Sequence, residues 1–271
     1  MTGSTRVGII GAGAIGSELV RILAEFPTDV TITAVLRHTT HNRSDVGTVF
    51  RQISLVTSIA DLMQSAPDVV VECAGHAAVA TLGPGVLRSG SDLMLASVGA
   101  LAQPEVEQAL RESATSSGAK ILIPSGAIGA LDALASARIS GLTRVVYRGT
   151  KPPQAWRGAI PEAVLERCSR SDSVQIFAGT AREAALRFPR NANVAAAVAL
   201  AGLGFDATTV ELMSQRTLTA NQHEVMAEGA FGSCHLVMRA RVSSANPRTS
   251  MLAAGSLAKC LLNRRALLSL G

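Results

Sequence analysis

The chain has 271 residues, 48% of them apolar, with a mean hydropathy of +0.30. That is ample for one large or two modest cores, yet the longest charge-free apolar stretch of the C-terminal half, 192–205, contains two glycines and is shorter than the ~18 residues of a spanning helix, so no membrane segment is expected. The net charge of +5 is spread over scattered bases and aromatics make up only 3%, a pattern that argues against nucleic acid and suits small anions such as phosphates and carboxylates.

Up to about residue 125 the chain alternates short apolar runs with helical spacing. Strands are expected at 6–10, 30–36, 69–72, 92–96 and 120–123, and helices at 15–25, 77–89 and 103–116. The runs "DVVVECAG" and "KILIPSG" are apolar without alternation, as in parallel strands buried on both faces. The rhythm is α/β: a Rossmann-type doubly wound parallel sheet, in which ligands bind beyond the carboxyl ends of the strands.

After "GAIGALDALASARISG", itself helical, the texture changes. "TRVVYRG", "DSVQIFAG", "TTVELM", "NQHEVMAEG" and "GSCHLVMRARV" are strand-like, with helices at 161–167, 180–186 and 192–201. This reads as a second, more antiparallel α+β domain. The segment "NPRTSMLAAGSLAKCLLNRRALLSL" begins with Asn-Pro and keeps helical spacing, so a closing helix is expected to pack back on the first domain. The expected boundaries are 1–126, joined by 247–271, for dinucleotide binding, and 127–246 for substrate and dimerisation.

Gly11, Gly13 and Gly16 form G-x-G-x-x-G between the first strand and the first helix. The first glycine permits the tight turn, the second lets a pyrophosphate approach the backbone, and the third allows close packing of helix on strand. Gly11, Ala12, Gly13, Ala14, Ile15 and Gly16 are therefore candidate cofactor contacts. The acid that would hold both ribose hydroxyls is absent at the end of the second strand, where "TITAVLRHTTHNR" places Arg37. Arg37 has two readings: a partner for the 2′-phosphate of NADP, or part of a solvated basic loop. The cofactor is NADP or NAD.

Ala74 and Gly75 of "CAGH" follow the strand at 69–72, and their small side chains leave room for a planar ring. His76 reads as a substrate donor or as a residue at a helix start. Cys73 reads as a small core residue rather than a nucleophile. His223 shares a strand face with Val225 and Ala227; it is either a satisfied core histidine or a general acid/base that an ordinary imidazole pKa would suit near neutrality. Cysteines 73, 168, 234 and 260 are too far apart for a Cys-x-x-Cys motif, so no metal and no disulfide are expected. Arg6 precedes a glycine-broken apolar run with no cleavage site, which does not read as a signal peptide and points to the cytoplasm.

The chain resembles the L-aspartate dehydrogenases in "GAGAIG", "VVVECAGHAAV", "ILIPSGAIGALDAL", "YRGTKPPQAW", "FPRNANVAAAVALAGLG", "NQHEV" and "NPRTSMLAAGSLA", which span nearly the whole length in order. The resemblance implies oxidation of L-aspartate at Cα by NAD or NADP. Iminoaspartate is then released, also as a supply for NAD biosynthesis, or hydrolysed to oxaloacetate and ammonia. It implies His223 as the active-site histidine, cofactor contacts at Ala127 and Asn193, and a homodimer. A dicarboxylate needs cations, for which Lys151 and Arg248 are candidates, with Thr249 assisting or capping the last helix. The alternatives are a dehydrogenase of the same architecture for another small amino or hydroxy dicarboxylate, and an inactive NADP-binding regulatory protein. Two departures stand out: Ser214-Gln215 lies where the family commonly has Asp-Pro, and Ala130 where it often has a second glycine.

Overall fold

The computed structural model describes residues 3–26, 29–37, 48–189, 192–240 and 251–269. The chain divides into two compact units, Met1–Gly126 with Ala253–Gly271, and Ala127–Leu252. Among the described residues no helix is long and apolar enough to cross a membrane.

The first unit contains β1 (Thr5–Ile10), α1 (Ala14–Glu25), β2 (Val30–Leu36), β3 (Leu55–Val56), α2 (Ile59–Gln64), β4 (Val69–Glu72), α3 (His76–Arg88), β5 (Asp92–Leu95), α4 (Pro104–Ser117) and β6 (Ile121–Leu122). The sheet has the order β3-β2-β1-β4-β5-β6 with every pairing parallel, the doubly wound arrangement in which the order reverses between β1 and β4. Strand alternation sends Val7, Ile9, Val69 and Val71 to one side, where they pack with Leu19, Val20 and Leu23 of α1. Leu257, Ala258 and Leu261 of α9 (Met251–Asn263) belong to that same core, so the expected closing helix does cover this sheet. On the other side Gly83 of α3 lies so close to Leu110 of α4 and Leu93 of β5 that a Cβ would fall 2.7 Å and 3.0 Å from their methyl groups.

Two elements escaped the sequence reading. Two-residue β3 is too short to show alternation. The start of α2 is marked by Ser58, whose Oγ accepts from the Asp61 N–H at 3.1 Å, a cap visible in "SIAD".

The second unit contains α5 (Leu131–Ile139), β7 (Leu142–Lys151), α6 (Glu162–Arg170), β8 (Ser173–Thr180), α7 (Ala181–Arg187), α8 (Asn193–Ala201), β9 (Thr209–Gln215), β10 (Asn221–Gly229) and β11 (Gly232–Ala240). Its sheet runs β11-β10-β7-β9-β8. As expected the domain is the more antiparallel one, with β10–β11, β7–β10 and β8–β9 antiparallel, while β7 and β9 pair in parallel; they are joined through α6, β8, α7 and α8, a connection long enough to allow parallel pairing. Along β10, Asn221, His223, Val225 and Ala227 are buried while the residues between them are not. The opposite face carries a partly buried ion pair, Arg148–Glu211 at 2.7 Å, and an exposed one, Arg144–Glu228 at 3.2 Å, the latter worth little to stability.

Ala130 precedes α5 with φ 57 and ψ 25, a left-handed conformation in which Cβ crowds the following carbonyl. Glycine removes that crowding. Ala130→Gly is expected to raise the urea midpoint by an amount worth about 1 kcal/mol; a drop in stability would mean that the methyl group packs usefully.

Candidate active site

In the first unit the glycine-rich turn joins β1 to α1. Gly11 has φ +108, and a Cβ there would lie 2.9 Å from the Cys73 backbone; Gly16 would drive a Cβ into the Gly11 carbonyl. Protein packing therefore accounts for two of the three glycines. It does not account for Gly13, where an added Cβ meets nothing within 4 Å and φ is an ordinary −80. Open space there fits the close approach of a phosphate to backbone. No side chain caps α1, so the first-turn N–H groups of Ala14, Ile15 and Gly16 are left to an anion. Gly11 is different: its N–H already donates to the Leu36 carbonyl at 2.8 Å.

Glu72, at the carboxyl end of β4, is fully buried. Its carboxylate accepts from the N–H groups of Ala74 at 2.7 Å and Gly75 at 2.6 Å, and from Ser97 N and Oγ, both at 3.0 Å. Burial outweighs these bonds and holds the carboxyl above its ordinary pKa. Ala74 and Gly75 were expected to contact cofactor, but their N–H groups are engaged by Glu72 and only their small surfaces remain for a ligand. Sequence reasoning saw "VVVE" as a strand and missed Glu72 as the tie between the loops after β4 and β5. The Cys73 thiol is pushed well up by burial and the neighbouring Glu72 charge, which makes it a poor nucleophile. His76 is the first residue of α3, with Gly75 as its cap position. Arg37 directly follows β2, and its N–H donates to Val56 O at 3.0 Å.

In the second unit the buried face of the sheet turns polar at one end. The ladders set Leu212, Gly149, His223 and Met238 in one row across β9, β7, β10 and β11. The adjacent row places Ser214 beside Lys151, and one step beyond the Gln222–Thr150 pair sets Asn221 across from Lys151. All of the polar members are buried: Lys151 is 5% exposed, His223 3%, Asn221 3% and Ser214 0%. Ser214 Oγ, Asn221 Oδ1 and the Nε1 of buried Trp156 have no hydrogen-bond partner among the described residues. Unsatisfied buried polar atoms are costly and call for an explanation, and a polar ligand supplies one. Lys151 Nζ lies 5.8 Å from the centroid of the Trp156 ring.

Burial draws the Lys151 ammonium down to about 8. Burial, and then the Lys151 charge, lower His223 to about 3. The expectation of an ordinary imidazole pKa at His223 is thus corrected: desolvation keeps the ring neutral throughout the physiological range. Its Nδ1 is 2.7 Å from the hydroxyl of Tyr147, the chain's single tyrosine and another residue to which sequence reasoning gave no role. Ala127 is buried and Asn193 opens α8. Arg248 and Thr249, together with His38, His41 and Arg43, lie outside the described residues.

Sheet order and glycine turn define a dinucleotide-binding oxidoreductase unit, and residues 11–124 match the family described as "Homoserine dehydrogenase, NAD binding domain". Residues 132–264 match "Aspartate dehydrogenase, C-terminal". The chain is 41% identical to an L-aspartate dehydrogenase of Cupriavidus necator over 95% of its own length and 97% of the relative's. It is 43% identical to L-aspartate dehydrogenase 1 of Bordetella pertussis over 95% of each. This chain belongs to the L-aspartate dehydrogenase family. The fold also matches the aspartate dehydrogenase structure from Thermotoga maritima, with a TM-score of 0.76 at 24% identity over 98% of this chain and 99% of that one.

A neutral buried histidine makes a pH signature. The unfolded chain takes up a proton near 6.5, the folded chain not until about 3, so stability is lost as pH falls through that window, by at most about 1.4 kcal/mol per pH unit. His223→Gln removes this contribution. Urea titrations between pH 6 and pH 4 are expected to show a shallower loss for the variant than for the wild type; parallel curves would refute the depressed pKa.

Proposed function

We propose that this chain oxidises L-aspartate at Cα with NAD(P), and that the iminoaspartate is hydrolysed to oxaloacetate and ammonia or supplied intact to NAD biosynthesis. The observation that carries the reading is the buried row of Ser214, Lys151 and Asn221 beside His223, in a chain closely related to L-aspartate dehydrogenases along nearly its whole length. When bound, the nicotinamide cofactor accepts the hydride that leaves Cα.

The residues divide the remaining work. The N–H groups at the start of α1, above Gly13, hold the cofactor's phosphates, and Ala127 and Asn193 keep the cofactor contacts implied by the family motif. Lys151 holds one substrate carboxylate, whose opposite charge in a desolvated place favours the ammonium form and raises its depressed pKa. Ser214 Oγ donates to the same group, and Asn221 Oδ1 accepts from the substrate amine. Arg248 and Thr249 serve the second carboxylate. His223 is the acid/base group of the imine and hydrolysis steps. No step falls to His76, whose position at the start of α3 accounts for it. The same reading includes a homodimer, following the family resemblance, in the cytoplasm, where four free thiols suit a reducing environment.

Purified protein is expected to reduce NAD(P) with L-aspartate and to oxidise the reduced cofactor with oxaloacetate plus ammonia, followed by absorbance. Absence of turnover in both directions would sink the reading, and turnover only with another dicarboxylate would reassign the substrate. His223→Ala should lower kcat roughly 10²-fold, while Lys151→Met should act mainly on KM for aspartate.

Arg37 stands where an acid would repel a 2′-phosphate, which supports use of NADP at least as well as NAD. Arg37→Asp is expected to shift kcat/KM toward NAD. An unchanged NADP-to-NAD ratio would return Arg37 to an ordinary surface role.

A further inference from the structure

Tyr147 and Gly149 are two positions apart on β7, so they face the same side of the sheet. Gly149 is the residue directly opposite His223, and Tyr147 is opposite Val225. The phenol ring extends over the glycine toward the histidine: a Cβ on Gly149 would fall 2.7 Å from Tyr147 Oη and 3.2 Å from two ring carbons. The missing side chain is thus what lets the hydroxyl reach Nδ1 at 2.7 Å. The ring centroids are 6.1 Å apart and the planes differ by 20°.

The direction of this bond follows from what else the two groups can do. Tyr147 is 0% exposed, and its hydroxyl makes no second hydrogen bond among the described residues. Were Nδ1–H the donor, the phenol proton would be buried without an acceptor, which is unfavourable. Burial also pushes the Tyr147 hydroxyl well up, so the phenol keeps its proton. The lone arrangement that satisfies both groups has Tyr147 O–H donating to Nδ1, and a neutral imidazole then carries its proton on Nε2.

We propose that Tyr147 is a positioning residue that holds His223 in the Nε2–H tautomer, so that His223 meets the substrate as a hydrogen-bond donor to oxygen rather than as the acceptor of the amine proton. This rests on the placement of His223 in the active site. It narrows the acid/base role given to His223 above to the donor side: Nε2–H serves a carboxylate or the hydroxyl of the carbinolamine formed when water adds to the imine. Gly149 belongs to the same device, since any side chain there displaces the hydroxyl.

The test is a long-range proton–nitrogen spectrum of protein labelled at the histidine nitrogens, with His223 assigned by its disappearance in His223→Gln. The wild type is expected to show an unprotonated Nδ1 and a protonated Nε2. Tyr147→Phe is expected to give a mixture of tautomers and to lower kcat roughly 10-fold or more with KM for aspartate little changed. Gly149→Ala, which retains both Tyr147 and His223, should reproduce the change of tautomer. A wild-type Nδ1 that carries the proton overturns the proposal. So does a Tyr147→Phe variant with unchanged nitrogen shifts, or one with a changed tautomer but undiminished kcat. Full turnover by His223→Ala would instead remove the active-site placement, an outcome separate from the nitrogen spectrum.

Discussion

Position 149 faces His223 across the β7–β10 ladder, and the contact between Tyr147 and His223 depends on its being glycine. A side chain there would occupy the path of the Tyr147 hydroxyl, leaving two buried polar groups without each other. With glycine, the Tyr147 hydroxyl and His223 Nδ1 meet at 2.7 Å inside the protein. Lys151, two residues further along the same strand, adds positive charge that keeps the ring neutral. A sheet face that elsewhere carries largely apolar side chains such as Leu212, Val225 and Ala227 thus ends in a small desolvated polar patch, where each interaction is stronger than it would be in water.

The first unit follows a different logic. Its buried acid is spent on architecture: Glu72 draws the amides after β4 and β5 onto one carboxylate, whereas the amides at the start of α1 have no side-chain cap. The carboxylate thus ties the loops after β4 and β5 together, while the first-turn amides of α1 keep their partial positive charge for a ligand.

The broad architecture was legible because it rests on local patterns. The unalternated apolar runs in "DVVVECAG" and "KILIPSG", and a glycine turn between strand and helix, imply a parallel sheet whatever lies elsewhere. His223 could be placed on a buried face by alternation with Val225 and Ala227. Its environment could not, because Tyr147 is 76 residues away and the register joining them is set by a strand pairing with no local signature. The pattern Tyr147-x-Gly149-x-Lys151 was in view, but its meaning appears only when the facing residue is known. Likewise nothing adjacent to Glu72 announces a carboxylate with four donors, two of them from Ser97. The parallel β7–β9 pair was missed because parallel and antiparallel strands of this length read alike until their connection is traced.

The helix α9 places Leu257, Ala258 and Leu261 in the same core as Val7 and Ile9 of β1. During synthesis the strands and helices of the first unit emerge early, yet the face of their sheet that α1 covers lacks the α9 side chains until residues 127–252 have been made. The second unit, by contrast, is contiguous and can close as it leaves the exit tunnel. The part of the chain begun first is thus completed last, and until then its apolar face is the portion most in need of chaperone cover.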